Sequence, residues 1–213
     1  RVGRTIDIHA RGADLIFPHH ENEIAQSECA NGCKFVNYWL HNGFVTINKE
    51  KMSKSLKNFV TIGDLLADYD ANTIRLFILT NHYRMPVEFS PEALEGARSG
   101  WKRIQNAVNE AVKYLRGAEL PDVSVSDEIK RFKEAMDNDF NTARALAVIF
   151  DAATKVNKAK TDNDMKAAAE YTAILLELTN VMGFNIEKEK MSEEELQLKL
   201  ETIIRDMDFL SAE

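Results

Sequence analysis

Hydrophobic and polar positions along the chain divide it into two unlike halves. In the stretch "SPEALEGARSGWKRIQNAVNEAVKYLRG", Leu94, Ala97, Trp101, Ile104, Val108, Val112 and Leu115 recur three or four apart. That spacing lays one apolar stripe along a helix, read here as core rather than a ligand surface. Ser90 suits its N-cap and Pro91 its first turn, while Gly117 and Pro121 end it. The periodicity predicts further helices around 126–137, 141–160, 163–182 and 192–208, divided by breaks containing Asn, Asp or Gly. No fixed-period repeat appears, which disfavours a solenoid.

Ahead of Ser90 the pattern is mixed. "TIDIHARGADLIF" begins with a short β-branched alternation and a glycine turn, as a strand entering a loop would. "FPHHENEIAQSECANG" then reads as helix, with Pro18 suited to the first position and Gly32 to the stop. "FVNYWLHNGFVTI" is aromatic and β-branched and predicts one or two strands. "TIGDLLADYDANTIRLFILTNHYR" returns to helix, with Thr61 and Asp64 spaced as a capping pair. The pattern predicts a mainly α chain, with a small, incomplete α/β part followed by a helix bundle.

Composition narrows this only modestly. With 213 residues, 45% hydrophobic and 29% charged, the chain fits one or two ordinary globular domains. It has no run approaching 18 apolar residues, so a membrane span is not expected. The start "RVGRTIDIHARG" lacks the apolar core of a signal peptide, and Arg in place of Met suggests a piece of a longer or processed chain. Only Cys29 and Cys33 are present, too few for a disulfide framework. They read as two reduced, partly buried thiols in a cytoplasmic protein.

Charge changes the picture more. The net charge is −7, and residues 185–213 alone hold nine Asp or Glu against four Lys or Arg. "NKEKMSKSLKN" goes the other way, with four lysines and one glutamate. A basic loop in an acidic protein is where a polyanion can dock. Lysine is a compact point charge on a flexible stem, and the serines add short hydroxyl donors. Such a loop can follow charge moving between phosphate oxygens and favour the transition state over the ground state. On composition alone, a solvated surface turn is the commoner outcome.

The string "KMSKS" resembles the second signature of the class I aminoacyl-tRNA synthetases, and its surroundings sharpen the likeness. "DLIFPHHENEIAQSE", "HNGFV", "EKMSKSLKNFVTI" and "HYRMPVEFS" follow in order, and with "MDNDFNTARALAVIFD" they resemble the C-terminal portion of bacterial cysteinyl-tRNA synthetases over residues 5 to 184. The resemblance implies a C-terminal remnant of a Rossmann-like catalytic domain followed by a helical bundle. It divides the chain into residues 1–60 with the lysine loop, a connecting region 61–117, and a bundle of tRNA-binding type, 118–213. It implies that Lys54 contacts ATP, with Lys51 and Ser53 supporting it. "DIHARGADL" is similar to the family's glycine-rich turn against adenosine. Gly12 and Asp14 match that turn; Ala10 and Arg11, like Lys57 after the loop, stand where the family has glycine.

His19 and Glu23, four apart on a helix, share a face and can form an ion pair or supply two of the four ligands of zinc. The resemblance selects the second role and places zinc at the amino-acid site, with His20, Glu21 and Asn22 shaping the pocket. The family's two cysteine ligands have no counterpart here, since Cys29 and Cys33 fall elsewhere, so the expectation is a half-site of low zinc affinity. The first class I signature, of the H-x-G-H type, does not occur in these 213 residues.

The implied function is a cysteine–tRNA ligase using ATP with magnesium, acting on cysteine and tRNA-Cys as a cytoplasmic monomer. The 213 residues by themselves are expected to be inactive. Arg98, Lys102, Arg103, Lys113 and Arg116, then Lys130, Arg131 and Lys133, would meet phosphate backbone, although singly each reads as a solvated surface group. Two other readings remain open. One is the related ligase joining cysteine to a glucosaminyl-inositol in mycothiol synthesis, which needs no such long helical extension. The other is a non-catalytic tRNA-binding fragment.

Overall fold

The computed structural model describes residues 3–47, 50–52 and 59–186. Lys54, Ser53, Lys57, the side chain of Lys51 and the predicted helix 192–208 lie outside the described residues.

The N-terminal part has two small sheets. β1 (Ile6–Gly12) runs parallel to β2 (Val36–Asn42), with His9 opposite Trp39 and Arg11 opposite His41. Between them, an irregular turn at residues 16–20 leads into α1 (Glu21–Asn31). Regular helix therefore begins at Glu21 rather than at Pro18. The Phe17–Pro18 peptide is cis and Phe17 is extended (φ −133°, ψ 134°), a conformation outside the helical region. Gly32 stops α1 in the left-handed region at φ 63°, as its sequence position predicts. Cys29 and Cys33 are both free, but Cys29 is exposed rather than partly buried, because α1 buries no side chain.

The second sheet has the order β4–β3–β5. β3 (Val45–Ile47) lies antiparallel to β4 (Glu50–Lys51) and parallel to β5 (Val87–Glu88). Two helices separate β4 from β5. In α2 (Ile62–Asp68) the Thr61 hydroxyl accepts from the Asp64 amide at 3.0 Å and the Asp64 carboxylate accepts from the Thr61 amide, completing the expected capping box. Asp70 caps α3 (Ala71–Leu79), whose Leu76 and Phe77 are buried.

The rest is helical. α4 (Pro91–Leu115) starts at Ser90, whose hydroxyl accepts from the Ala93 amide, and ends with Arg116 and Gly117 both at positive φ. α5 (Asp127–Asp137), α6 (Thr142–Thr161) and α7 (Met165–Val181) are capped by Ser126, Asn141 and Asp164. α4, α6 and α7 pack on one another, α5 lies on α6, and α3 lies on α4. Leu94, Trp101, Ile104, Ile149, Ile174, Leu175 and Leu178 form the core. The predicted α4 stripe differs at one place: Val112 is half exposed, and the neighbouring Ala111 is fully buried. From Val108 the stripe can continue by three or by four residues. Here it takes three, so the close-packed site behind α4 holds a methyl.

Candidate functional site

The site is built on the β1–β2 pair and the first turn of α1. Alternation along β1 sends Asp7, His9 and Arg11 to the face opposite Ile6, Ile8 and Ala10. Parallel register brings His9 beside Trp39 of β2, and the rings stack with centroids 4.7 Å apart. His41, two residues beyond Trp39, stacks on it in turn. The turn at 16–20 folds over this row and inserts His20, which is buried and tilted against His9, Trp39 and His41.

α1 then supplies the carboxylate. His19 Nε2 lies 3.2 Å from Glu23 Oε1, the i,i+4 pair expected from the sequence, and His9 Nε2 lies 2.9 Å from Glu23 Oε2. Thus both Glu23 oxygens carry an imidazole, one from the turn that leads into α1 and one from β1. His20 Nδ1 pairs with His41 Nε2 at 2.9 Å, while His20 Nε2 is buried with no hydrogen-bond partner among the described residues. His9, His20 and Glu23 each offer a ligand atom within 4.8 Å of the others.

The electrostatics follow from this packing. Burial, and then the facing His41, hold the His20 imidazole below its usual pKa, so His20 is neutral at neutral pH. Burial pushes the Glu23 carboxyl up. The His9 hydrogen bond and the surrounding imidazoles outweigh it, so Glu23 lies below its ordinary value.

The structure brings His19 and Glu23 together as the spacing predicts. It keeps Gly12 and Asp14 at the end of β1, on the far side of the turn leading to them. There the Asp14 carboxylate lies 2.5 Å from where a Cβ on residue 12 would be, so a side chain at 12 would make that carboxylate swing aside. Sequence reasoning missed His9 and His41 as members of the cluster. Their signal was the alternation H-A-R and W-L-H, which becomes a shared face only once the strands are known to pair in parallel.

The proposed basic set is uneven. Arg98 is committed to its own fold, forming an ion pair with Glu95 at 3.0 Å and lying over the Tyr69 ring. Arg103 donates to Thr154 at 2.7 Å, and Arg131 pairs with Asp151 at 3.0 Å. Lys102, Lys113, Arg116, Lys130 and Lys133 are exposed. Among the described residues, no helix is long and apolar enough to cross a membrane.

Known proteins agree with this architecture. Residues 1–99 match the family described as tRNA synthetases class I (C) catalytic domain, and residues 131–187 match the DALR domain. The fold is shared with the LeuRS of Agrobacterium radiobacter K84, solved in a ternary complex with tRNA and LeuAMS. The TM-score is 0.65 at 16% identity, over 89% of this chain and 29% of that one. These matches define a class I synthetase. The chain belongs to the cysteinyl-tRNA synthetase family. It is 50% identical over 182 residues to the cysteine–tRNA ligase of Halorhodospira halophila, covering 85% of this chain, and 44% identical over 215 residues to that of Shouchella clausii, covering 96%. The chain spans only 38% and 45% of the length of these two relatives.

Proposed function

We propose that the protein is a cysteine–tRNA ligase, which activates cysteine with ATP to cysteinyl-adenylate and transfers it to tRNA-Cys. The observation that carries this reading is the His19–Glu23 pair set against His9 and Trp39, in a chain half identical to curated cysteine–tRNA ligases. The tetrahedral ligand shell of zinc, with bonds of about 2.0–2.1 Å, places neighbouring nitrogen and oxygen donors roughly 3.3 Å apart. The 3.2 Å between His19 Nε2 and Glu23 Oε1 fits two corners of such a shell. Zinc held by His19 and Glu23 would supply a soft centre that favours a thiolate over a hydroxyl, a basis for rejecting serine.

The chain's own residues do the remaining work in this reading. His9 anchors the second Glu23 oxygen and so orients the first. His20 stays neutral beneath the pocket. Gly12 lets backbone approach the adenosine beside Asp14. Lys54, with Lys51 and Ser53, offsets charge developing on the departing pyrophosphate, with magnesium as the ATP counter-ion. Residues 1–60, 61–117 and 118–213 serve as catalytic remnant, connection and tRNA-binding bundle. Lys102, Arg116, Lys130 and Lys133 are exposed groups that would meet phosphate backbone. The long bundle and its DALR match favour this reading over the mycothiol ligase. A cytoplasmic monomer remains part of the proposal.

The test is a chimera of the Halorhodospira halophila ligase in which this chain replaces the matching segment. Cysteine-dependent ATP–pyrophosphate exchange is expected, and it should fall by about 10²–10³ with Lys54→Ala. A folded chimera without exchange, or exchange indifferent to Lys54→Ala, overturns the reading. Metal analysis gives an independent readout: Glu23→Gln should lower zinc content, whereas Glu21→Gln should not.

A further inference from the structure

The corner between α5 and α6 grips the loop ahead of β5. Asp139 accepts from Tyr83 Oη at 2.7 Å, from Arg84 Nε at 2.5 Å and from Arg84 Nη2 at 3.1 Å. The same corner makes a second contact, with the Thr142 hydroxyl donating to the Asn81 carbonyl at 3.2 Å. Asp139 and Phe140 hold consecutive left-handed conformations, at φ 56° and 53°. Two adjacent non-glycine residues persist there only when their surroundings over-determine them. Here the Phe140 and Asn141 amides bond back to Met136 and Ala135, and Asn141 caps α6. An isolated surface ion pair contributes little, but a forked guanidinium with an added phenol fixes geometry.

The gripped loop is wired into the lysine strand. The Tyr83 carbonyl accepts from the Gly43 amide at 2.8 Å, and Val87 and Phe89 donate to Phe44 and Thr46. Gly43 has no slack, since a Cβ there would lie 2.4 Å from the Met85 carbonyl oxygen. Directly after Gly43 and Phe44 comes β3, which pairs with β4, and Met52 donates to the Val45 carbonyl at 2.9 Å. Lys51 and Met52 open the lysine signature. The Tyr83 phenol therefore holds Asp139 of the helical region, and its carbonyl holds Gly43, two residues ahead of β3, the partner of β4.

We propose that Asp139 is a positioning residue for the lysine loop: through Tyr83 and Arg84 it sets the β3–β4 strands relative to the α5–α6 corner. The proposal rests on reading that loop as the ATP loop. Asp139→Asn is the informative variant, because Asn tolerates the left-handed region and so removes the charge while sparing the backbone.

Two measurements test it together. In the 213-residue chain, backbone hydrogen exchange should accelerate at Gly43, Met52 and Val87 in Asp139→Asn, and remain unchanged in α6 and α7. In the chimera, Asp139→Asn should raise KM for ATP by about fivefold while KM for cysteine holds, with Arg84→Lys intermediate. If the parent chimera shows no exchange, the ligase reading fails and the proposal with it. If the parent is active and Asp139→Asn leaves ATP dependence unchanged, the proposal alone is overturned, whatever the hydrogen exchange shows. Unchanged amide exchange at Gly43, Met52 and Val87 overturns it as well.

Discussion

The strand-bearing region and the helical bundle use the same local rules and end in opposite states. Between Gly3 and Met52, only His20 and Val36 are buried among the described residues, and α1 buries nothing. In the bundle, α4 alone buries eight side chains and α6 another eight. Within these 213 residues, which span 38% of the length of the Halorhodospira halophila relative, Tyr38 on β2 is 70% exposed and Ile8 on β1 54%. Besides Val36, the enclosed or partly enclosed groups of the first region include the His9, His20 and His41 imidazoles and the Trp39 indole. Within these 213 residues the bundle closes an apolar core, whereas the strand region gathers polar and ring contacts around Glu23.

The sharpest way to break the contrast is to cut each half. Ile149→Ala opens a hole at a fully buried position and should cost about 2–5 kcal/mol in denaturant unfolding. Ile8→Ala, at an exposed position, should stay within about 0.5 kcal/mol. An equal cost at both would end the comparison.

A smaller effect is expected at the seam. Gly43→Ala pushes a methyl into the Met85 carbonyl and should cost about 1–3 kcal/mol, with fast amide exchange at Val87 marking the damage as local. Removing the cap of α5 by Ser126→Ala should cost about 1 kcal/mol, read from the thermal midpoint of the bundle.

Strong acid should weaken the corner between the halves. The Arg84 hydrogen bond, then that from Tyr83, brings the Asp139 carboxyl down to about 2. A depressed carboxylate contributes stability that is fully present above its unfolded value near 4 and lost as pH falls through its folded value. The stability difference between the parent and Arg84→Ala should therefore be level from pH 5 upward and shrink between about pH 4 and 2. A difference that persists undiminished at pH 2 would separate the corner from Asp139 ionisation.

Much of this was legible from the chain because the relevant physics is short-range. Ser90, Thr61 and Asp64 act within one helical turn, and their caps stand where the sequence places them. Gly32 and Gly117 stop helices for the same local reason. Val112 shows the limit. Its spacing fits the stripe as well as that of Ala111, and only the space behind α4 chooses between them.

By itself, the sequence determined the helical bundle, the caps and the His19–Glu23 pair, because each depends on residues three or four apart. Tertiary structure decided the rest. His9 reaches Glu23 across 14 residues, His20 reaches His41 across 21, and Arg84 reaches Asp139 across 55. No local periodicity encodes those partners. They meet because β1 and β2 pair in one register and because a corner between two helices closes on a loop.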